Sequence, residues 1–217
     1  MGFTIKTAAA LLLFPIIAGM WASAQTEVHN TLGITILVYN EAGVSQSQLS
    51  AAERQASFIF RRAGVAVEWL PCLEASREAE ACRRLLRPDQ FVLRIVHEEH
   101  ASNDIVFGVA FLRADGGKYC DVFFDRIKRL HHESGVDVPD LLGAVMAHEL
   151  GHLLLGSHSH SPFGIMAARW QQKNLDCVSM GWLFFTSDQA SRMRRRIQSS
   201  QVRREAPVQY ARTRPID

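Results

Sequence analysis

Residues 139–156 read PDLLGAVMAHELGHLLLG. At helical spacing this stretch is apolar on nearly every side, and a helix without a solvent face must be buried by the rest of the chain. Pro139 and Asp140 suit its start, and the helix is expected over residues 141 to about 155, with Gly156 supplying the left-handed residue that ends it. Only His148, Glu149 and His152 interrupt the apolar surface. Residues four apart on a helix share a face, so the two imidazoles are close enough to bind one ion. Val145, Glu149 and His152 follow the same stripe, which turns the carboxylate toward the site. Burying these three groups without partners is costly. A bound divalent cation gives them a use: it lowers the pKa of a bound water toward neutral, and Glu149 is placed to accept the proton.

Two histidines do not complete a zinc site, which needs a third protein ligand. The only glutamate after Glu149 is Glu205, in a basic tail. Asp176 and Asp188 are more remote in sequence than His158 and His160, which lie just past the chain-reversing Gly156. A histidine is the better candidate, and the residues by themselves leave His158 and His160 both open. His97 and His100 end a strand, His131 and His132 fall in a polar stretch read as a loop, and His29 lies near the N-terminus. None of these five is expected to ligate.

The remaining pattern alternates strands with helices. Residues 33–40 (GITILVYN), 65–70 (VAVEWL) and 91–98 (FVLRIVHE) read as strands, the third with Phe91, Leu93 and Ile95 on one face and Val92 and Val96 on the other. Leu49, Ala52, Ala56, Ile59, Phe60 and Ala63 recur at helical steps before Gly64. Residues 106–112 and 119–124 read as a hairpin across 113–118. A last helix begins near Thr186, where Thr186 and Gln189 have capping-box spacing.

The chain of 217 residues is 47% hydrophobic and 21% charged, which fits one globular domain rather than a disordered chain. Lys6, the apolar run from Ala8 to Met20 and Ala22-Ser23-Ala24 read as a signal peptide at 1–24, cut after Ala24, so that the mature protein is secreted or periplasmic. No later stretch reaches the roughly 20 apolar residues of a membrane span. Cys72, Cys82, Cys120 and Cys177 form an even set, so disulfides are expected in that compartment, with Cys72–Cys82 and Cys120–Cys177 favoured among three connectivities. The net charge of +2 hides a run of arginines after Ser191. It is read as a solvated helix face and a basic, disordered tail at 201–217; without interleaved aromatics or a nucleic-acid motif, no nucleic-acid partner is expected.

The histidine stretch resembles the metzincin clan of zinc peptidases, whose pattern is HExxHxxGxxH followed by a methionine-containing turn. His148, Glu149, His152, His158 and Met166 match in spacing, and the interval from His158 to Met166 is similar to that of matrixins. Leu155, however, stands where the clan has glycine, and Gly156 comes one residue late. With the helix one residue longer and the loop shifted as well, His160 becomes a candidate for the ligand. YCDVFFDRI, HSPFGIM and LFFTSDQA also resemble a group of exported bacterial proteins in which the histidine before Ser-Pro recurs, which favours His160. The resemblance covers most of residues 31–200.

The resemblance implies an α+β, zincin-like fold: a mixed twisted sheet packed on two long helices, with a C-terminal helix after the Met-turn, the catalytic domain occupying 25–200. It implies a Zn2+ cofactor, Met166 as an apolar floor, and a cleft-edge strand at Gly108, Val109 and Ala110 to which an extended peptide adds as a further strand. The expected activity is that of a monomeric zinc-dependent endopeptidase acting on peptides or proteins. Two alternatives stand beside it. One is a non-catalytic, metal-stabilised binding protein whose site is closed by His158 and His160 together; the other is a zinc amidase for small substrates.

Overall fold

The computed structural model describes residues 32–72, 82–98, 106–113 and 116–205. The expected signal peptide, His29, His100 and tail residues 206–217 lie outside the described residues.

β1 (Gly33–Asn40) leads through α1 (Gln46–Arg62) to β2 (Ala66–Pro71), and then come β3 (Gln90–Val96), β4 (Gly108–Phe111) and β5 (Tyr119–Phe123). The sheet order is β2-β1-β3-β5-β4. The first four strands of that order are mutually parallel, and β4 runs antiparallel to β5 at the edge. Alternation along the strands decides what the sheet buries. Ile34, Ile36 and Val38 of β1, Phe91, Leu93 and Ile95 of β3, and Cys120 and Val122 of β5 all enter the core. The opposite face carries polar pairs: Thr35 Oγ1 donates to Glu68 at 3.0 Å, and Arg94 grips Asp121 through two hydrogen bonds of 2.8 and 2.5 Å.

α2 (Phe124–Ser134) follows β5 directly, and α3 (Val138–Leu155), α4 (Gln172–Ser179) and α5 (Ser187–Glu205) come after it among the described residues. The mixed α+β architecture expected from the sequence is thus present. α3 is buried along most of its length. It packs against α1, and its neighbours also include β4, β5, α2, α4 and α5. Gly156, at φ +64°, ends α3 and donates its N–H to the His152 carbonyl at 2.9 Å. At the start of α5 the Thr186 N–H donates to the Gln189 side chain at 2.9 Å, and the Gln189 N–H donates to Thr186 Oγ1 at 3.3 Å.

Three expectations need correction. His131 and His132 are not in a loop: they occupy the last turn of α2, whose buried residues are Phe124, Arg126 and Ile127. The charged outer face of α2 hides that stripe from a reading by hydrophobic period. Cys72 and Cys82 are joined, with Cα atoms 5.9 Å apart, but Cys120 and Cys177 are free. The Cys120 thiol is buried under the sheet and turned toward the Val92 carbonyl at 3.7 Å, whereas Cys177 sits half-buried on α4. Burial, then the charges of Glu149 and Asp121, hold the Cys120 thiol well above the usual range, which suits an inert core residue. Finally, α5 continues to Glu205, so the first residues assigned to the tail are helical.

The weight placed on α3 is measurable. Leu142 is fully buried while Leu85 is 96% exposed. Leu142→Ala is expected to lower unfolding free energy by roughly 2–5 kcal/mol, from lost burial and the cavity left behind, and Leu85→Ala to change it by less than about 0.5 kcal/mol. Denaturant titration of the two variants checks the contrast.

Candidate metal centre

His148 and His152 project from the same face of α3, with ring centroids 4.8 Å apart. Each Nδ1 lies against a backbone carbonyl: that of His148 is 2.7 Å from Ile165 O, and that of His152 is 2.8 Å from Ser157 O. A carbonyl only accepts, so both Nδ1 atoms carry the proton, and in neutral rings both Nε2 atoms are left with lone pairs. Those two Nε2 atoms face each other at 3.1 Å. Two acceptors at that distance repel unless a cation lies against both. The contact therefore has the character of converging ligand atoms rather than of a hydrogen bond. Orientation of ligating imidazoles by Nδ1–H donation to a carbonyl is the usual outer support of a metal site.

His160 completes the group. Its ring lies 5.4 Å from that of His148 and 4.9 Å from that of His152, and one ligand atom from each of the three falls within 4.8 Å of the others. His158 is not in this group; its ring stands 6.2 Å from His152. The loop explains the choice the sequence left open. Ser157 Oγ accepts from the Ser159 N–H at 3.0 Å, and the chain then returns as the Ser161 N–H donates to Met166 O at 2.8 Å. Asp176 and Asp188 belong to α4 and α5 and also stay out of the group. His97 is engaged elsewhere, with Nδ1 3.1 Å from Asp125.

Burial disfavours the charged form of all three rings. Burial brings His148 down to about 4 against the opposing effect of its carbonyl partner, and burial likewise lowers His152 and His160. Neutral imidazoles are the form that binds metal. The donor set of three imidazoles fits Zn2+, a borderline-soft ion commonly held by histidine nitrogen with one position left open in catalytic sites.

Glu149 is next to His148 in sequence and buried, and burial pushes its carboxyl up to about 8. Strand β4 presses on it. A Cβ at Gly108 would stand 2.7 Å from Glu149 Cγ and 2.6 Å from the Asp121 carbonyl, so only glycine fits there. Gly108 and Ala110 face inward; Val109 is half-buried. Met166 is fully buried, with its Sδ 2.7 Å from where a Gly151 Cβ would be, which places it directly beneath α3. Two aromatic residues escape the sequence reading. Trp170 lies against the His148 ring, and Phe107 lies against Trp170. Trp170 lies in an irregular segment, and Phe107, within the strand expected at 106–112, carries nothing that sets it apart.

No protein-family model matches the chain, and no curated protein matches it in sequence. Among solved structures, the fold is similar to that of a zinc-dependent peptidase from Methanocorpusculum labreanum, with a TM-score of 0.50 at 14% identity over 73% of this chain and 99% of that one. Archaemetzincin from Methanopyrus kandleri aligns at 19% identity over 79% of this chain and 99% of its own, with a TM-score of 0.47. At 14% identity the likeness to the first of these is one of fold, and it accords with the mixed sheet and buried helix described above.

Zinc titration with a competing chelator tests the centre. Alanine at His148, His152 or His160 is expected to weaken zinc binding by more than the roughly 10–100-fold typical of losing an outer-shell partner. His158→Ala should bind as the unaltered protein does. Equal losses at His158 and His160 would contradict the assignment.

Proposed function

We propose that the protein is an exported zinc-dependent endopeptidase, with the ion held by His148, His152 and His160 and with Glu149 as general base and then proton donor. The convergence of the His148 and His152 Nε2 atoms at 3.1 Å, with both Nδ1 atoms committed to carbonyls, carries this reading. The fold shared with a solved zinc-dependent peptidase supports it. Export rests on the signal-peptide pattern of residues 1–24.

Zinc in this site supplies a Lewis acid that lowers the pKa of water toward neutral and polarises a carbonyl oxygen. The chain's own residues do the rest. Glu149 takes the proton from the attacking water, and the burial that raises its proton affinity makes its ionised form a stronger base. The same carboxyl then hands the proton to the leaving amine. β4 is the edge strand beside Glu149, paired on one side with β5. An extended peptide is read as lying along its other edge, held by main-chain hydrogen bonds, with the scissile bond brought to Glu149. A closed structural site, the main alternative, needs a fourth protein ligand. The exclusion of His158 from the histidine group favours the open, catalytic one.

Two variants separate the base from the metal. Glu149→Gln is expected to reduce kcat on a peptide library by about 10²–10⁴-fold, the usual worth of a positioned general base, while zinc content stays at wild-type stoichiometry. Unchanged proteolysis in that variant would sink the mechanism. Gly108→Ala should also cut kcat with zinc retained, because the added methyl displaces the Glu149 side chain or the edge strand.

A further inference from the structure

The Ile165 carbonyl serves two donors. It accepts from His148 Nδ1 at 2.7 Å and from the indole N–H of Trp170 at 3.3 Å. The peptide is anchored from its other side too, since the Ile165 N–H donates to Phe184 O at 2.9 Å and the Ile165 side chain is fully buried. The indole does more than share an acceptor. Its ring meets the His148 ring edge-to-face, with centroids 6.1 Å apart and planes at 79°. One hydrogen bond at Nδ1 leaves an imidazole free to tilt about that bond, and a ring packed at a right angle removes the freedom. On its own flank Trp170 stacks with Phe107, with centroids 6.4 Å apart and planes at 23°. Phe107 immediately precedes β4 and is tied to β5 through the Phe123 N–H, which donates to Phe107 O at 2.9 Å. An aromatic brace thus runs from the root of the edge strand to a metal-ligating imidazole. His152 lacks this brace; it is oriented by Ser157 O and its neighbouring imidazoles.

We propose that Trp170 is a positioning residue for the metal centre, holding His148 in its ligating orientation and tautomer and linking that orientation, through Phe107, to the strand along which substrate is read to lie. The proposal rests on the zinc reading above for its functional meaning, but the hold on His148 is a property of the chain itself. Trp170→Phe keeps an aromatic face and loses the N–H; Trp170→Ala loses both; Phe107→Ala cuts the brace at its far end.

The test uses full chains confirmed as folded by circular dichroism, with two readouts. The first is zinc affinity against a competing chelator. The second is the tautomer of each histidine in the metal-free protein, from long-range 15N–1H correlation. Trp170→Phe should weaken zinc binding by about tenfold and Trp170→Ala by toward a hundredfold, the range for partners that orient a ligand, with a smaller loss in Phe107→Ala. In the metal-free Trp170→Ala chain, His148 should lose its single Nδ1–H tautomer while His152 keeps its own. Zinc affinities within about threefold of wild type, together with an unchanged His148 tautomer, overturn the proposal. Should Trp170→Ala not fold, Trp170→Phe and Phe107→Ala carry the same comparison. A wild-type chain that binds no zinc defeats the metal reading instead, and the tautomer measurement still decides the role of Trp170.

Discussion

Two imidazoles one turn apart on a buried helix are held by backbone carbonyls so that their remaining lone pairs point at each other. Placing His148 and His152 in an interior of low polarity is costly unless each nitrogen is satisfied. The Ile165 and Ser157 carbonyls satisfy the Nδ1 atoms. Among the described residues no backbone group meets the Nε2 pair, and a third imidazole, that of the exposed His160, arrives from the return loop. Much of the local structure follows from that requirement: Gly156 must end α3 so that the chain can turn back, and Met166 must fit against Gly151 to bring the Ile165 carbonyl within reach of His148.

The same helix positions the proposed base. Glu149 follows His148 and is overlain by β4, where Gly108 leaves just enough room for its side chain. β4 is both the cover of the carboxyl and, among the described residues, an edge of the sheet, so the proposed base and the proposed substrate strand are direct neighbours. Phe107 and Trp170 add a second connection between those elements.

Much of this was legible in the sequence where the physics is local. The four-residue spacing of His148 and His152, the capping pair Thr186 and Gln189, the stop at Gly156 and the alternation in β1 and β3 all act over one or two turns or a few strand positions. What depends on the path of the chain was not legible. The choice between His158 and His160 is made by the turn around Ser157 and Ser159. The carbonyls of Ile165 and Ser157 carry no side-chain signature, and the Trp170 indole N–H donates to one of them. α2 was concealed by its charged face, and α4 spans only Gln172–Ser179, with Gln171 and Asn174 in the capping roles. The even set of four cysteines suggested a Cys120–Cys177 bridge, but one of these thiols is enclosed beneath the sheet and the other sits on α4.

X-ray absorption at the zinc edge of the full chain, loaded with one equivalent of zinc, bears most directly on the central claim. Three imidazole nitrogens and one further light ligand from solvent are the predicted shell, with His158→Ala giving the same spectrum. A shell of four imidazoles, or one containing sulfur from Cys120 or Cys177, would contradict it.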